Sequence, residues 1–426
     1  MNCSEVIEKI HACPKGSEKK GLSNMQALLA QLGNPEKELQ FVHIAGTNGK
    51  GSATAMTASV LQEAGYKVGR NISPYILDFK ERFVINGTMI SEEELAEVGS
   101  IVLAATEKVK EQTGFVPIEF EVVTAIALYW FAKEKCDIVC MEVGIGGRLD
   151  STNVIQNTLV AYIMHMGIDH QNILGDTLAK ITQEKTGILK NNCTVISYPG
   201  QPEEALQVIQ TQAKEKECKL VVPNVADIII DEITLSKTKI HYKNFSIKIP
   251  FGGAHQAFNA TVVIEGCLAL RDKGYSIKDE DIINGIRKTK FPARIEVISE
   301  NPLIIVDGAH NEDGAKALAN LLEFTNTKEL TAVVGMVKDK DNKIVLRTIS
   351  PYVKNIIFTE PPIYKALPAQ QLAGIAGNLF ENVRIEVDAH KAIEKTIANS
   401  QRILVTGSLY LAAEARATLL DILEEE

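Results

Sequence analysis

Leu39-Gln40-Phe41-Val42-His43-Ile44-Ala45-Gly46-Thr47-Asn48-Gly49-Lys50-Gly51-Ser52 runs from a short, mostly apolar segment into a glycine-rich turn, and Ala53 to Ala64 continues it as a predicted helix closed by Gly65. Strand, glycine loop and helix in that order make a phosphate site. Glycines at 46, 49 and 51 let backbone N–H groups approach phosphate oxygens, the helix start adds the positive end of its dipole, and Lys50 adds a full charge. The fit to G-x-x-x-x-G-K-[ST] is imperfect, because Ile44 stands at the first glycine position and Ser52 comes one place late, after Gly51. No Asn-Lys-x-Asp motif for guanine occurs anywhere in the chain, so adenine is favoured over guanine.

Two further strands carry the same logic. Ile138 to Val143 ends in Gly144-Ile145-Gly146-Gly147-Arg148, and Leu159 to Met164 runs into Gly167-Ile168-Asp169-His170. Each delivers polar groups at the carboxyl end, where open α/β sheets place ligands. A phosphate-loop enzyme needs Mg²⁺ on its nucleotide, held by a loop hydroxyl and an acid at a neighbouring strand end. Ser52 and Glu142 fit those posts, although Glu142 also reads as a salt-bridged strand-end acid. His170 alone reads as a structural histidine, and only its alignment with Glu142 at one sheet edge marks it. Lys185, in Thr182-Gln183-Glu184-Lys185-Thr186-Gly187, reads by itself as a solvated helix lysine.

The chain's 426 residues exceed the roughly 250 to 300 at which one core stops growing, so two domains are expected. Thr238 to Tyr242 and Phe245 to Ile249 alternate and suggest a small antiparallel excursion near 228–249. From about Ile295 the β then α rhythm restarts, with strands at Leu303–Val306, Thr331–Gly335, Ile356–Thr359, Arg384–Val387 and Ile403–Thr406. A second parallel sheet covered by helices is the expectation. Phe291-Pro292-Ala293-Arg294 sits at the join, which puts the first domain at 1–291, a hinge at 292–295 and the second domain at 296–426.

Hydrophobic residues at 45% and charged ones at 23% exclude disordered and collagen-like classes. A net charge of -9 argues against holding nucleic acid or anionic lipid by bulk charge. The seven scattered cysteines include no C-x-x-C pair and read as buried or idle thiols. Val122 to Ala132, the longest apolar run, is too short for a bilayer and reads as a buried helix. Met1 to Lys20 has neither an apolar h-region nor a small-residue cleavage site, so a cytoplasmic location is expected.

Gly46-Thr47-Asn48-Gly49-Lys50-Gly51-Ser52, the run from Glu142 through Arg148-Leu149-Asp150-Ser151-Thr152-Asn153, Asp169-His170-Gln171, Glu184-Lys185-Thr186-Gly187-Ile188 and Asp307-Gly308-Ala309-His310-Asn311 together resemble the folylpolyglutamate synthase/dihydrofolate synthase family of ATP-dependent Mur ligases. The matching runs extend from Gly21-Leu22 to Thr406-Gly407-Ser408-Leu409-Tyr410. The resemblance implies an α/β protein: a P-loop ATPase domain with a parallel sheet plus a C-terminal Rossmann-like domain. It implies ATP contacts from Gly49, Lys50, Gly51, Ser52, Asn259, Arg294 and Asp307. It implies Mg²⁺ on Ser52, Ser73, Glu142 and His170, ATP as co-substrate and a monovalent cation besides. It also implies that Lys185 carries CO₂ as a carbamate (N6-carboxylysine). His310 and Ser408 line the glutamate side, and Phe120, Glu121, Asp150, Ser151 and Thr152 the pteridine side. Ile118-Glu119-Phe120 and Tyr75-Ile76 depart from the family's usual residues at the pterin side, which bears on substrate choice and not on the reaction.

The expected reaction adds L-glutamate to a folate or dihydropteroate carboxylate through an acyl phosphate, with Lys50, Lys185 and His310 as the catalytic residues. Another Mur-type amide ligase, or a P-loop nucleotide switch that hydrolyses ATP without either co-substrate, are the alternatives. Small molecules are the expected partners, with no nucleic acid or membrane, and a monomer is the expected state.

Overall fold

The computed structural model describes residues 1–15, 21–338 and 341–424. Contacts divide them into two compact units, Met1–Ile228 with Phe258–Thr289, and Ile229–Ala257 with Lys290–Glu426.

The first unit is built on strands β1 (Phe41–Ala45), β2 (Val68–Asn71), β3 (Val84–Ile85), β4 (Thr88–Met89), β5 (Ile138–Glu142), β6 (Thr158–Ile163), β7 (Thr194–Ser197) and β8 (Lys219–Val221), in the order β4-β3-β2-β5-β1-β6-β7-β8. The central strands β1 and β5 are buried at every position, the pattern of a parallel sheet covered on both faces. From β1 the chain crosses to β2 beyond β5 and later returns to β6 on the opposite flank, so the strand order reverses around β1. Ligands bind outside the carboxyl ends of the strands at such a reversal. The register puts those ends level: Ile44 pairs with Glu142, Ala45 with Ile163, and Asn71 with Met141. The edge formed by β3 and β4 is antiparallel because Asn86-Gly87, both at positive φ, close a two-residue hairpin.

Helix Lys50–Glu63 is buried through Gly51 to Ala58, and its small side chains let it lie close over the sheet. Glu119–Lys133 is the buried helix expected at Val122 to Ala132, and among the described residues no helix is long and apolar enough to cross a membrane. Helix Ala254–Asp272 packs on the fully buried Tyr162, where a Cβ added at Gly266 would overlap the phenol oxygen. Gly266→Ala is therefore expected to destabilise by about 1–3 kcal/mol, outweighing the roughly 1 kcal/mol by which Ala favours a helix. A urea midpoint equal to that of the wild type would show that this contact has slack.

The second unit holds two sheets. Strands β9 (Ile229–Ile233), β10 (Thr238–Tyr242) and β11 (Phe245–Ile249) form the antiparallel excursion, with β10 and β11 alternating buried and exposed. Sequence boundaries assign this excursion to 1–291; by contacts it groups with the second unit, because Ile233 and Leu235 pack on that unit's core. The larger sheet runs β12-β13-β17-β14-β15-β16, with β12 (Glu296–Glu300), β13 (Leu303–Val306), β14 (Leu330–Val334), β15 (Val353–Glu360), β16 (Asn382–Asp388) and β17 (Arg402–Thr406). It is the expected parallel sheet, with one antiparallel strand, β12, added at its edge. The Asn301-Pro302 connection is far too short for a crossover, so β12 can only fold back antiparallel on β13.

Candidate active site

The loop after β1 is held from the β6 side. The amides of Thr47 and Asn48 donate to the His165 carbonyl at 2.8 and 3.3 Å, and the Thr47 hydroxyl exchanges hydrogen bonds with the Gly167 carbonyl and amide. These two amides are thus spent on the protein itself. What faces a phosphate is the helix start: Gly49 is the N-cap at φ +86, and the first helical bond runs from the Ala53 amide to the Gly49 carbonyl. The amides of Lys50, Gly51 and Ser52 precede it and have no carbonyl in their own helix to reach. A side chain at Gly49 would strike Asn259 Oδ1, so the expected nucleotide contact Asn259 does lie over this loop.

Lys50 and Lys185 converge on one atom. Lys50 Nζ donates to the Gly46 carbonyl at 3.0 Å and to that of Thr47 at 3.3 Å, and Lys185 Nζ donates to the same Gly46 carbonyl at 2.8 Å. Lys185 is 3% exposed, which overturns its reading as a solvated helix lysine. It lies on the inward face of helix Leu178–Thr186 with Ile181, Thr182 and Thr186.

That helix is locked to the loop after β5. The Arg148 amide donates to the Glu184 carbonyl at 2.7 Å, and the Arg148 guanidinium reaches Glu184 Oε1 through Nε and Nη2. A Cβ at Gly147 would stand 2.5 Å from the Lys185 carbonyl and 2.8 Å from that of Glu184. Glycine is required here by proximity.

At the end of β5, Glu142 is buried and its Oε2 accepts from the Ser73 amide at 3.2 Å. The Ser73 hydroxyl is buried with no hydrogen-bond partner. An orphaned hydroxyl beside a carboxylate is a pair of hard oxygen donors and fits Mg²⁺. Ser52 is buried in the first turn of the helix after β1. His170 caps the short helix Gln171–Leu174 at φ +52, its Nε2 lying 3.9 Å from Asp169 Oδ2. Among the described residues no three His, Cys, Asp or Glu side chains stand together as a ready metal site, so the set at this edge mixes hydroxyls with one carboxylate and one imidazole.

The residues expected on the pteridine side are engaged within the protein. Phe120 lies against Gly144. Glu121 caps its own helix by accepting from the Ile118 amide at 2.9 Å, and burial raises its carboxyl above the usual range. Asp150 Oδ2 accepts from the Ile145 amide and Oδ1 from the Thr152 amide and hydroxyl, while that hydroxyl also meets His43 Nε2 at 2.9 Å. Ser151 lies in the 3₁₀ turn that Asp150 caps. Asp150 and Thr152 shape the wall of this edge. Sequence reasoning missed His43, which is fully buried and pushed down to about 3 by burial and Lys190, and so stays neutral. It also missed Asn153 and Lys190, which brace the same loop, and Gln201, which satisfies the backbone of Ile163, Met164 and Met166.

In the second unit the carboxyl ends of β13 and β17 meet through the Gly407 amide and the Ala309 carbonyl. Asp307 is buried and accepts from the amides of Ile295 and Ala309; burial raises its carboxyl despite those amides and Arg294. Arg294 stacks on Phe291, 5.3 Å from the ring centre. His310 Nδ1 stands 2.8 Å from the Gly308 carbonyl; a carbonyl can only accept, so Nδ1 carries the proton and neutral His310 keeps its lone pair on Nε2. Ser408 caps the last helix by accepting from the Leu411 amide, and the buried Thr406 hydroxyl, two residues before it, has no hydrogen-bond partner.

Residues 293–409 match the family described as Mur ligase, glutamate ligase domain. The chain is 36% identical over 422 residues to the dihydrofolate synthase/folylpolyglutamate synthase of Bacillus subtilis, covering 96% of this chain and 97% of that one. It is similar to a solved Mycobacterium tuberculosis folylpolyglutamate synthase complexed with ADP and AMPPCP, with a TM-score of 0.88, 26% identity and 97% of each chain covered. A solved folylpolyglutamate synthase complex with AMPPCP and folate gives a TM-score of 0.86 at 29% identity, over 99% of this chain and 100% of that one.

Proposed function

The chain belongs to the dihydrofolate synthase/folylpolyglutamate synthase family, ATP-dependent ligases of the Mur type, and from that membership we propose how its own residues join L-glutamate to a folate or dihydropteroate carboxylate. The observation that carries the reading is the meeting of Lys50 and Lys185 on the Gly46 carbonyl, at the sheet edge where Glu142 and Ser73 stand.

A substrate carboxylate oxygen attacks the γ-phosphorus of ATP, the bond to the β,γ-bridging oxygen breaks, and ADP leaves with that electron pair. The acyl phosphate then receives the glutamate amine at its carbonyl carbon, the C–O bond to phosphate breaks, and phosphate departs. Lys50 and the helix-start amides of Lys50, Gly51 and Ser52 place positive charge where the transferring phosphoryl group develops negative charge. Ser73, Glu142, Ser52 and His170 would hold Mg²⁺, which when bound neutralises the β- and γ-phosphate oxygens. Asn259, Arg294 and Asp307 are assigned to the nucleotide, Phe120, Glu121, Asp150, Ser151 and Thr152 to the pterin region, and Ser408 to glutamate. His310, with its lone pair on Nε2, takes the proton of the attacking amine. The 292–295 segment is the proposed hinge between the two domains.

ADP formation with glutamate plus dihydropteroate, and with glutamate plus tetrahydrofolate, tests this directly. ATP cleavage at an undiminished rate with both co-substrates omitted would point to a nucleotide switch instead. Gly147→Ala forces the Lys185 backbone away from its loop, and a misplacement near 1 Å is expected to lower turnover by about 10²-fold. Wild-type turnover in that variant would show that Lys185 needs no fixed register.

A further inference from the structure

Lys190 lies in the turn that follows helix Leu178–Thr186, partly buried, and its Nζ donates to the Asn153 carbonyl at 3.0 Å and to Asn153 Oδ1 at 2.9 Å. Asn153 is buried, and its Nδ2 donates to the carbonyls of Arg148 and Gly187, both at 3.0 Å. One amide group thus joins the loop after β5 to the backbone that leaves Lys185.

The direction of that amide is fixed by chemistry. An ammonium group can only donate, so Oδ1 must face Lys190 and the two N–H bonds must face the carbonyls. A flipped amide would set an oxygen against two carbonyls and an NH₂ against a cation. Among the described residues Lys190 meets no carboxylate, and burial with Lys216 nearby depresses its affinity for a proton, down to about 8. A partly buried cation held by amide oxygens alone is an expensive way to stabilise a turn. It is an effective way to orient one asparagine.

We infer that Asn153 and Lys190 are positioning residues, which hold the end of helix Leu178–Thr186 against the Gly146-Gly147-Arg148 loop and so keep the Lys185 amine on the Gly46 carbonyl. They act on turnover through Lys185. The inference rests on the catalytic part given to Lys185 above.

The test is a kinetic cycle on the full chain with ATP, glutamate and tetrahydrofolate. Asn153→Ala is expected to lower kcat by at least about tenfold while the KM for ATP stays within about threefold. Asn153→Asp keeps an acceptor for Lys190 but loses both donated bonds, and it should fall as far as the alanine variant; a brace that merely anchored Lys190 would keep full activity with Asp. In the Lys185→Ala background the residual ADP formation should change by less than about twofold when Asn153 is also replaced. Undiminished kcat in Asn153→Ala and Asn153→Asp, or an equal fall in both backgrounds, overturns the inference. Wild-type activity in Lys185→Ala alone strikes the premise instead, and the inference with it. Should Asn153→Ala fail to fold, Lys190→Gln, which can still donate one N–H to Oδ1, carries the same comparison at smaller amplitude.

Discussion

Lys50→Ala is expected to lower glutamate-dependent ADP formation by roughly 10²- to 10³-fold, the cost of removing one charged or preorganised donor from a developing anion. The loop itself should survive the change. Its other ties are the amides of Thr47 and Asn48 on His165, the Thr47 hydroxyl on Gly167 and Lys185 on Gly46. Lys50 contributes two bonds to carbonyls, at 3.0 and 3.3 Å, whose loss should cost about 1–3 kcal/mol. That is a small part of a chain of this size. Loss of turnover with a cooperative melt close to the wild type is therefore the expected pair of results. Near-normal ADP release from the variant would reject the assignment of the phosphate site to this loop.

The part of the fold that holds this site was legible because buried parallel strands write themselves as unbroken apolar runs. Phe41 to Ala45, broken only by His43, and Ile138 to Met141 are close to such runs, each leading to a glycine or an acid where the sheet stops. What escaped was structure made by partners far apart in sequence. β12 is half-exposed and short of apolar residues, so nothing before Asn301-Pro302 marked it as a strand. The β3–β4 hairpin is different. Val84-Ile85-Asn86-Gly87-Thr88-Met89 carries an Asn-Gly turn signal that could have been read.

The site divides along the same line. Gly49, Lys50, Glu142 and Ser52 are marked by local order: strand, loop, helix. Asp150 and Thr152 are placed on the pteridine side by resemblance, yet the fold turns Asp150 on the Ile145 amide and Thr152 on His43. No spacing rule could show that. Lys185 did leave a signal. Leu178, Ile181, Thr182 and Lys185 share one face at helical spacing, while Gln183 points outward, so a lysine stood at an inward position of an amphipathic stripe. A cation on the buried stripe of a short helix is costly, and that cost marks a functional residue.

Lys185→Ala should then be the second severe lesion, with ADP formation down by about 10²-fold or more and no comparable loss of stability. The variant gives up one bond to the Gly46 carbonyl, which Lys50 still reaches, and it also removes a charge from the interior. A melting temperature near that of the wild type is expected. The form in which Lys185 works decides the rest. As an ammonium it would stand with Lys50 as a second cation on one carbonyl. As a carbamate, formed when the neutral amine bonds to CO₂ and gives up a proton, it would set an anion beside Lys50. Short-chain carboxylic acids can occupy the space left by the alanine variant and return that negative charge. Partial recovery with formate, acetate or propionate, and none with their amides, is the outcome expected for a carbamate. Recovery with small primary amines instead would assign the ammonium form, and indifference of turnover to both the substitution and the added acid would remove Lys185 from the mechanism.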